Sequence, residues 1–256
     1  MSQAHTDERG YTFTADWSVP WQEPWRRLLK PLTGAADVRY LEIGVFEGRS
    51  LLWMMENVFT HDSARATAVD PCFMPYGERL QQNLAASGLG HKIDLVRGPA
   101  REHLRRLPLN SYDVAYVDGS HLGADVLHDL VHTWELLRVG GIMIIDDYLW
   151  GTSLDEHTFA RETAAEIRPR EAVDAFLRIH RRDVDVLVQR WQMVVRKRPP
   201  FLERSDVKCH GSAWFCSELG QHLYYWDTRE LVLMPGGDHI KLETELADIV
   251  EERLRE

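Results

Sequence analysis

The stretch that most constrains this chain is Val38-Arg39-Tyr40-Leu41-Glu42-Ile43-Gly44-Val45-Phe46-Glu47-Gly48-Arg49-Ser50. An apolar-rich strand runs into Gly-x-x-x-Gly and then into a helix. Such a turn brings backbone close to a ligand at the carboxyl end of a first parallel strand, where open α/β sheets bind nucleotides and related cofactors. Gly44 and Gly48 lack the Cβ atoms that would block a close approach, and the start of the helix offers free N–H groups. Glu42 discriminates among ligands. A carboxylate there repels a pyrophosphate but accepts hydrogen bonds from an ammonium or a ribose, which favours a cationic, amino-acid-bearing cofactor over a dinucleotide.

The rhythm that follows predicts a parallel sheet. Val38–Ile43, Ala66–Val69, Ile93–Val96, Tyr112–Val117 and Ile142–Ile145 read as strands. Ser50–Val58, Glu78–Ala86, Arg101–Leu107 and Ala124–Leu137 read as the helices between them, the last terminated by Gly140-Gly141. Strands alternating with helices pair in parallel through right-handed crossovers. Beyond a polar connector from Gly151 to Pro169, a helix is expected over Glu171–His180. Val184–Val188 and Gln192–Val195 are separated only by Gln189-Arg190-Trp191, a spacing that favours an antiparallel pair closing the sheet. The expected fold is α/β: a doubly wound, Rossmann-like seven-stranded sheet with an antiparallel last strand and a small C-terminal extension.

Three regions are expected: a Trp-rich arm or lid over 1–37, the main domain over 38–198, and the extension over 199–256. Residues 1 to about 15 read as a mobile arm, and a short helix is expected over Pro24–Lys30. Trp17, Trp21 and Trp25 either cover the edge of the core or roof a pocket. In the extension, Ser212–Phe215, His222–Trp226 and Leu231–Met234 read as short strands and Glu243–Leu254 as a helix.

Composition excludes several functions. A net charge of −10 argues against a polyanion-binding surface, so no nucleic-acid partner is expected. No apolar run approaches the ~18 residues of a membrane helix, and Met1–Gly10 lacks the apolar core of a signal peptide. Three cysteines do not make a disulfide framework. A cytoplasmic protein with no membrane partner is expected. Cys209-His210, Cys216 and His222 do not match the spacing of paired zinc ligands.

With the acids after the second, fourth and fifth strands in place, the chain resembles the class I S-adenosylmethionine-dependent methyltransferases over roughly Val38 to Arg198. It is most similar to the metal-dependent small-molecule O-methyltransferases of the macrocin O-methyltransferase type. Glu42-Ile43-Gly44-Val45-Phe46-Glu47-Gly48-Arg49-Ser50, Val117-Asp118-Gly119-Ser120-His121 and Asp146-Asp147-Tyr148 carry the resemblance. It implies that Glu42, Gly44, Gly48 and Ser50 line the methionine part of S-adenosylmethionine, that Asp70 accepts from the ribose hydroxyls, and that Gly98-Pro99-Ala100 borders the adenine. Asp118, also bordering the cofactor, would hold a divalent metal with Asp146 and Asp147. The chain departs from the macrocin pattern where Asp-Gly-Asp becomes Asp118-Gly119-Ser120, which leaves the general base open.

Three converging carboxylates repel one another without a cation or a proton, and hard oxygen ligands in an open site favour Mg²⁺, with Ca²⁺ or Mn²⁺ as alternatives. The plainer reading is that Asp118 and Asp147 cap a helix and a turn. His121 is the candidate general base and His157 a second one; Tyr148 and Trp150 are candidate walls of an acceptor pocket. The leading expectation is O-methylation of a small hydroxylated acceptor such as a sugar, a polyphenol or a natural-product intermediate. The rivals are a NAD-dependent oxidoreductase, which Asp70 also suits, and a non-catalytic cofactor-binding module. The extension makes a homodimer plausible.

Overall fold

Helices that cover both faces of a parallel sheet bury its central strands completely, and two strands of this chain are buried almost end to end. The computed structural model describes residues 5–150, 168–199, 214–217 and 222–225. In chain order these form β1 (His5–Thr6), β2 (Thr12–Phe13), α1 (Gln22–Leu28), β3 (Arg39–Ile43), α2 (Arg49–Asn57), β4 (Arg65–Asp70), α3 (Tyr76–Ser87) and β5 (Ile93–Arg97). Then come α4 (Ala100–His103), β6 (Tyr112–Val117), α5 (Gly123–Leu136), β7 (Leu137–Ile145), α6 (Pro169–Ile179), β8 (Val184–Gln189) and β9 (Met193–Lys197). Every residue of β6 is buried, and all of β3 but its first.

The seven strands β3 to β9 lie in the order β5-β4-β3-β6-β7-β9-β8, with β3 to β7 parallel and β9 antiparallel to both of its neighbours. This is the expected fold class. From β3 the chain steps outward to β4 on one side and later to β6 on the other. The carboxyl ends of β3 and β6 therefore flank a topological switch point, where such sheets open a crevice. Side chains alternate across the strands: Leu41, Ile43, Ala115 and Val117 pack with Val126, Leu130, Trp134 and Phe176, while Tyr40, Val114 and Tyr116 pack with Trp25, Leu51 and Met55.

Several boundaries differ from expectation. Gly140-Gly141 does not stop the long helix, which ends at Leu136. β7 starts at once, and its register against β6 jumps from Tyr112↔Leu137 to Val114↔Ile142. The two glycines lie in that bulge, Gly140 at φ 83°, where an irregular ladder needs them. The helix expected over 101–107 divides into α4 and a 3-10 turn at Leu104–Arg106.

The described part of the N-terminal arm, from residue 5, is tied down. β1 and β2 pair as a hairpin. The Asn83 side chain bonds the Thr12 backbone in both directions, at 2.8 and 3.0 Å. Thr14 donates its N–H and its hydroxyl to buried Glu47 at 2.6 and 2.8 Å. The tryptophans divide between the two roles considered. Trp25 is 1% exposed and donates to Gln192 Oε1 at 2.9 Å, whereas Trp17 and Trp21 line a cavity.

Met1–Lys197 makes one compact unit and Arg198–Glu256 a second. In the second, β10 (Trp214–Ser217) pairs antiparallel with β11 (His222–Tyr225). Cys209 and His210, the expected strand at 231–234, the expected helix at 243–254 and the connector carrying His157 lie outside the described residues. Among the described residues no helix is long and apolar enough to cross a membrane.

Candidate active site

The carboxyl ends of the strands around the switch point each deliver an acid. Asp70 closes β4, Asp118 follows β6, and Asp146-Asp147 follows β7. All four line one cavity of about 1170 Å³, which Gly44 also lines.

Gly44 shapes this cavity by what it lacks. Its φ is 81°, and a Cβ built on it would stand 1.9 Å from the carbonyl oxygen of Asp118. The close approach that demands glycine here is therefore to the Asp118–Gly119 backbone. The other two glycines assigned to the cofactor pack elsewhere. A Cβ on Gly48 would meet Leu80 of α3 at 2.8 Å, and one on Gly98 would meet the His103 ring at 2.3 Å. Pro99 and Ala100 border the cavity; Gly48 and Gly98 do not.

Asp70 first of all holds the turn. Its Oδ2 accepts from the N–H groups of Val45 (2.8 Å) and Phe46 (3.0 Å), and its Oδ1 from that of Cys72. Phe46 and Cys72 both have positive φ, at 53° and 56°, a conformation that non-glycine residues keep only when their surroundings enforce it. A carboxylate has about four acceptor positions. Three are taken by the turn.

Glu42 and Ser50 lie behind the turn and off the cavity wall. Glu42 is fully buried, accepting from Tyr40 Oη at 2.5 Å and from Ser50 Oγ at 2.6 Å. In this structure the carboxylate read as a partner for the cofactor's ammonium is sealed. Burial pushes its carboxyl up to about 7 from an ordinary 4.5. The folded state thus binds this proton more tightly than the unfolded chain does. Its contribution is fully present below about 4.5 and is lost as pH rises to 7. Glu42→Gln is expected to be more stable than the parent at pH 8 by up to about 3 kcal/mol, and to lose that advantage at pH 5. Urea unfolding at both pH values checks this; an equal difference at the two would refute it.

The acids after β6 and β7 form a tight group around Tyr116. Its hydroxyl donates to Asp146 Oδ2 and lies 3.0 Å from Asp118 Oδ2. Asp146 also accepts from Gln192 Nε2 at 3.0 Å and from the N–H of Asp147 at 2.8 Å. Burial, then the charges of Asp146 and Asp147, hold the Asp118 carboxyl well above the usual range, and burial with Asp147 raises Asp146. Asp147, at φ 56°, turns its side chain the other way and takes His121 Nε2 at 2.7 Å. The His121 ring stacks on Trp150, with centroids 4.8 Å apart and planes within 7°.

One ligand atom from each of Asp118, His121 and Asp147 lies within 4.8 Å of the others. Of the expected metal set, Asp118 and Asp147 converge here with His121, and Asp146 beside them is engaged by Tyr116 and Gln192. The two adjacent acids diverge because Asp147 is left-handed. Trp150 lines the cavity, whereas Tyr148 is 2% exposed and donates to Asp174 at 2.9 Å, packed in the core. Tyr116 and Gln192 carried no sequence signal: a tyrosine in an apolar strand and a glutamine after a turn look like packing and surface residues.

The strand order, the glycine turn after β3 and the acids after β4, β6 and β7 together are the class I S-adenosylmethionine-dependent methyltransferase fold. Residues 41–148 match a family model described as a methyltransferase domain, and the chain is similar to O-methyltransferases in both sequence and fold. It is 29% identical over 170 residues to tricin synthase 2 of Oryza sativa subsp. japonica, covering 64% of this chain and 55% of that protein. It is 32% identical over 149 residues to tapetum-specific methyltransferase 1 of Arabidopsis thaliana, covering 56% and 60%. The chain therefore spans about half the length of the curated relatives it matches. Among solved structures, it shares its fold with the O-methyltransferase TomG of Streptomyces achromogenes, involved in tomaymycin synthesis and determined in complex with S-adenosylmethionine. The TM-score is 0.57 and the identity 19%, over 73% of this chain and 83% of that one.

Proposed function

We propose that this chain is an S-adenosylmethionine-dependent O-methyltransferase that acts with a divalent cation, Mg²⁺ before Mn²⁺, on a small hydroxylated aromatic molecule. The observation that carries this reading is the convergence of Asp118, His121 and Asp147 in the cavity that Asp70 and Gly44 also line. Asp118 and Asp147, with the Asp146 carboxylate beside them, are a donor set suited to a hard divalent ion, and His121 next to them is kept for the proton. The upward push on Asp118 and Asp146 marks negative charge in need of a counterion. When bound, the cation lowers the pKa of a hydroxyl placed on it; S-adenosylmethionine, when bound, offers a methyl on a sulfonium.

The chain's own residues handle position and the proton. With Nε2–H donated to Asp147, the lone pair of His121 is on Nδ1, and stacking on Trp150 fixes the ring plane. Nδ1 would take the proton of an acceptor hydroxyl held beside it. Asp147 stabilises the imidazolium so formed, as a carboxylate does in a Ser-His-Asp triad. Phe46, Phe73, Trp150 and Trp191 wall the cavity, which supports a flat acceptor. The relatives' names support a polyphenol or a similar natural-product intermediate over a sugar.

Calorimetric titration with S-adenosylhomocysteine, with and without Mg²⁺, is the direct test. Saturable 1:1 binding, followed by turnover of a phenolic acceptor that chelation abolishes, is expected. Turnover undiminished in excess chelator would remove the cation. Binding of a nicotinamide cofactor instead of S-adenosylhomocysteine would overturn the reading.

A further inference from the structure

Asp129 takes no part in this chemistry, yet it is built into the same cavity. It sits on α5 between Val126 and Leu130, two core residues, and is 5% exposed. Its Oδ1 meets His128 Nδ1 at 3.3 Å. Among the described residues no hydrogen bond reaches Oδ2. That oxygen lies under Gly119, 3.4 Å from where a Cβ on Gly119 would stand, and Asp129 lines the cavity with Asp70. Asp125, one turn earlier, differs in that Ser120 Oγ already donates to it at 2.9 Å. Burial, then the Asp125 charge, push Asp129 up to about 7. A ligand donor in the cavity that Asp129 lines could reach Oδ2.

We infer that Asp129 recognises the base of the cofactor by accepting a hydrogen bond from the exocyclic amine of adenine at Oδ2. This rests on the proposed function. The reacting methyl must lie by His121 and Asp147, beyond β7, and the ribose by Asp70. The base then occupies what remains of the cavity, between the start of α4 (Pro99, Ala100, Arg101) and the first turns of α5. Pro99 and Ala100 offer a flat ring an apolar wall. The exocyclic amine is the one donor on adenine's exposed edges, since the ring nitrogens N1, N3 and N7 only accept. An ionised carboxylate only accepts, so it matches that amine, and the Arg101 guanidinium on the same wall can donate to a ring nitrogen.

The test compares S-adenosylhomocysteine with S-inosylhomocysteine, in which a carbonyl oxygen replaces the amine at C6 and N1 gains a hydrogen. The full-length parent is expected to prefer the adenosyl compound by about 10- to 100-fold, the size of one hydrogen bond to a charged group. Asp129→Asn keeps the shape but can donate to that carbonyl, so the preference should fall to about threefold or less. Asp129→Ala should weaken adenosyl binding and also flatten the preference. A parent that binds both compounds equally, or a folded Asp129→Asn that keeps the full preference, overturns the inference while leaving the proposed function standing. A parent that binds neither compound overturns the proposed function itself.

Discussion

Gly44→Ala is expected to destabilise the protein by about 3–5 kcal/mol, combining a left-handed penalty of roughly 1–2 kcal/mol with the cost of an overpacked contact. The added methyl would meet the Asp118 carbonyl at 1.9 Å, and backbone on both sides leaves nothing soft to yield. Gly88→Ala separates the two causes. Gly88 ends α3 at φ 68° with nothing within 4 Å of its Cβ position, so it carries only the conformational term, about 1 kcal/mol. Urea unfolding of both variants checks the pair. Equal losses would mean that the contact between the Gly44 turn and the Asp118 loop is not tight. Because Asp118 belongs to the acidic group, any folded Gly44→Ala should also lose cation affinity, which a Mn²⁺ titration reads.

His121→Ala is the variant expected to act most on chemistry. Loss of a general base lowers kcat by about 10²- to 10⁴-fold. Binding of S-adenosylhomocysteine should stay within about twofold, since His121 lies at the acceptor end of the cavity. The two roles open to His121 have different signatures. If it takes the proton, added Mg²⁺ restores nothing. If it serves mainly as a cation ligand, raised Mg²⁺ recovers much of the rate. A kcat within about threefold of the parent would exclude both.

Periodicity made the sheet legible because strand and helix repeats are local properties. Tyr112–Val117 has six consecutive residues that read as a buried strand and is one; Val184–Gln189 and Met193–Lys197 are too close in sequence to pair in any way but antiparallel. Boundaries set by packing were not legible. Gly140-Gly141 looks like a helix stop, yet the helix ends earlier and the pair absorbs a change in register against β6. The arm before residue 15 looks unstructured because its partners, Glu47 and Asn83, lie far along the chain.

The site divides in the same way. Acids at strand ends announce a crevice, because alternating strands and helices leave the carboxyl ends of a parallel sheet open on one edge. Asp70, Asp118, Asp146, Asp147 and His121 stood out by strand-end position together with the family resemblance, and the structure gathers them in one cavity. Asp129 could have been noticed as an acid in phase with Val126, Leu130 and Thr133, three of the buried positions of α5. The sequence by itself determined the strand order's rhythm, the open edge and the residue types that face it. Only the tertiary structure decided what each one touches: that Gly44 makes room for Asp118, that Glu42 is sealed by Tyr40 and Ser50, and that Asp146 turns to Tyr116 while Asp147 turns to His121. The physical reason is that a side chain's partners depend on backbone dihedrals and on neighbours distant in sequence. Two adjacent aspartates, identical as letters, diverge because one of them is left-handed.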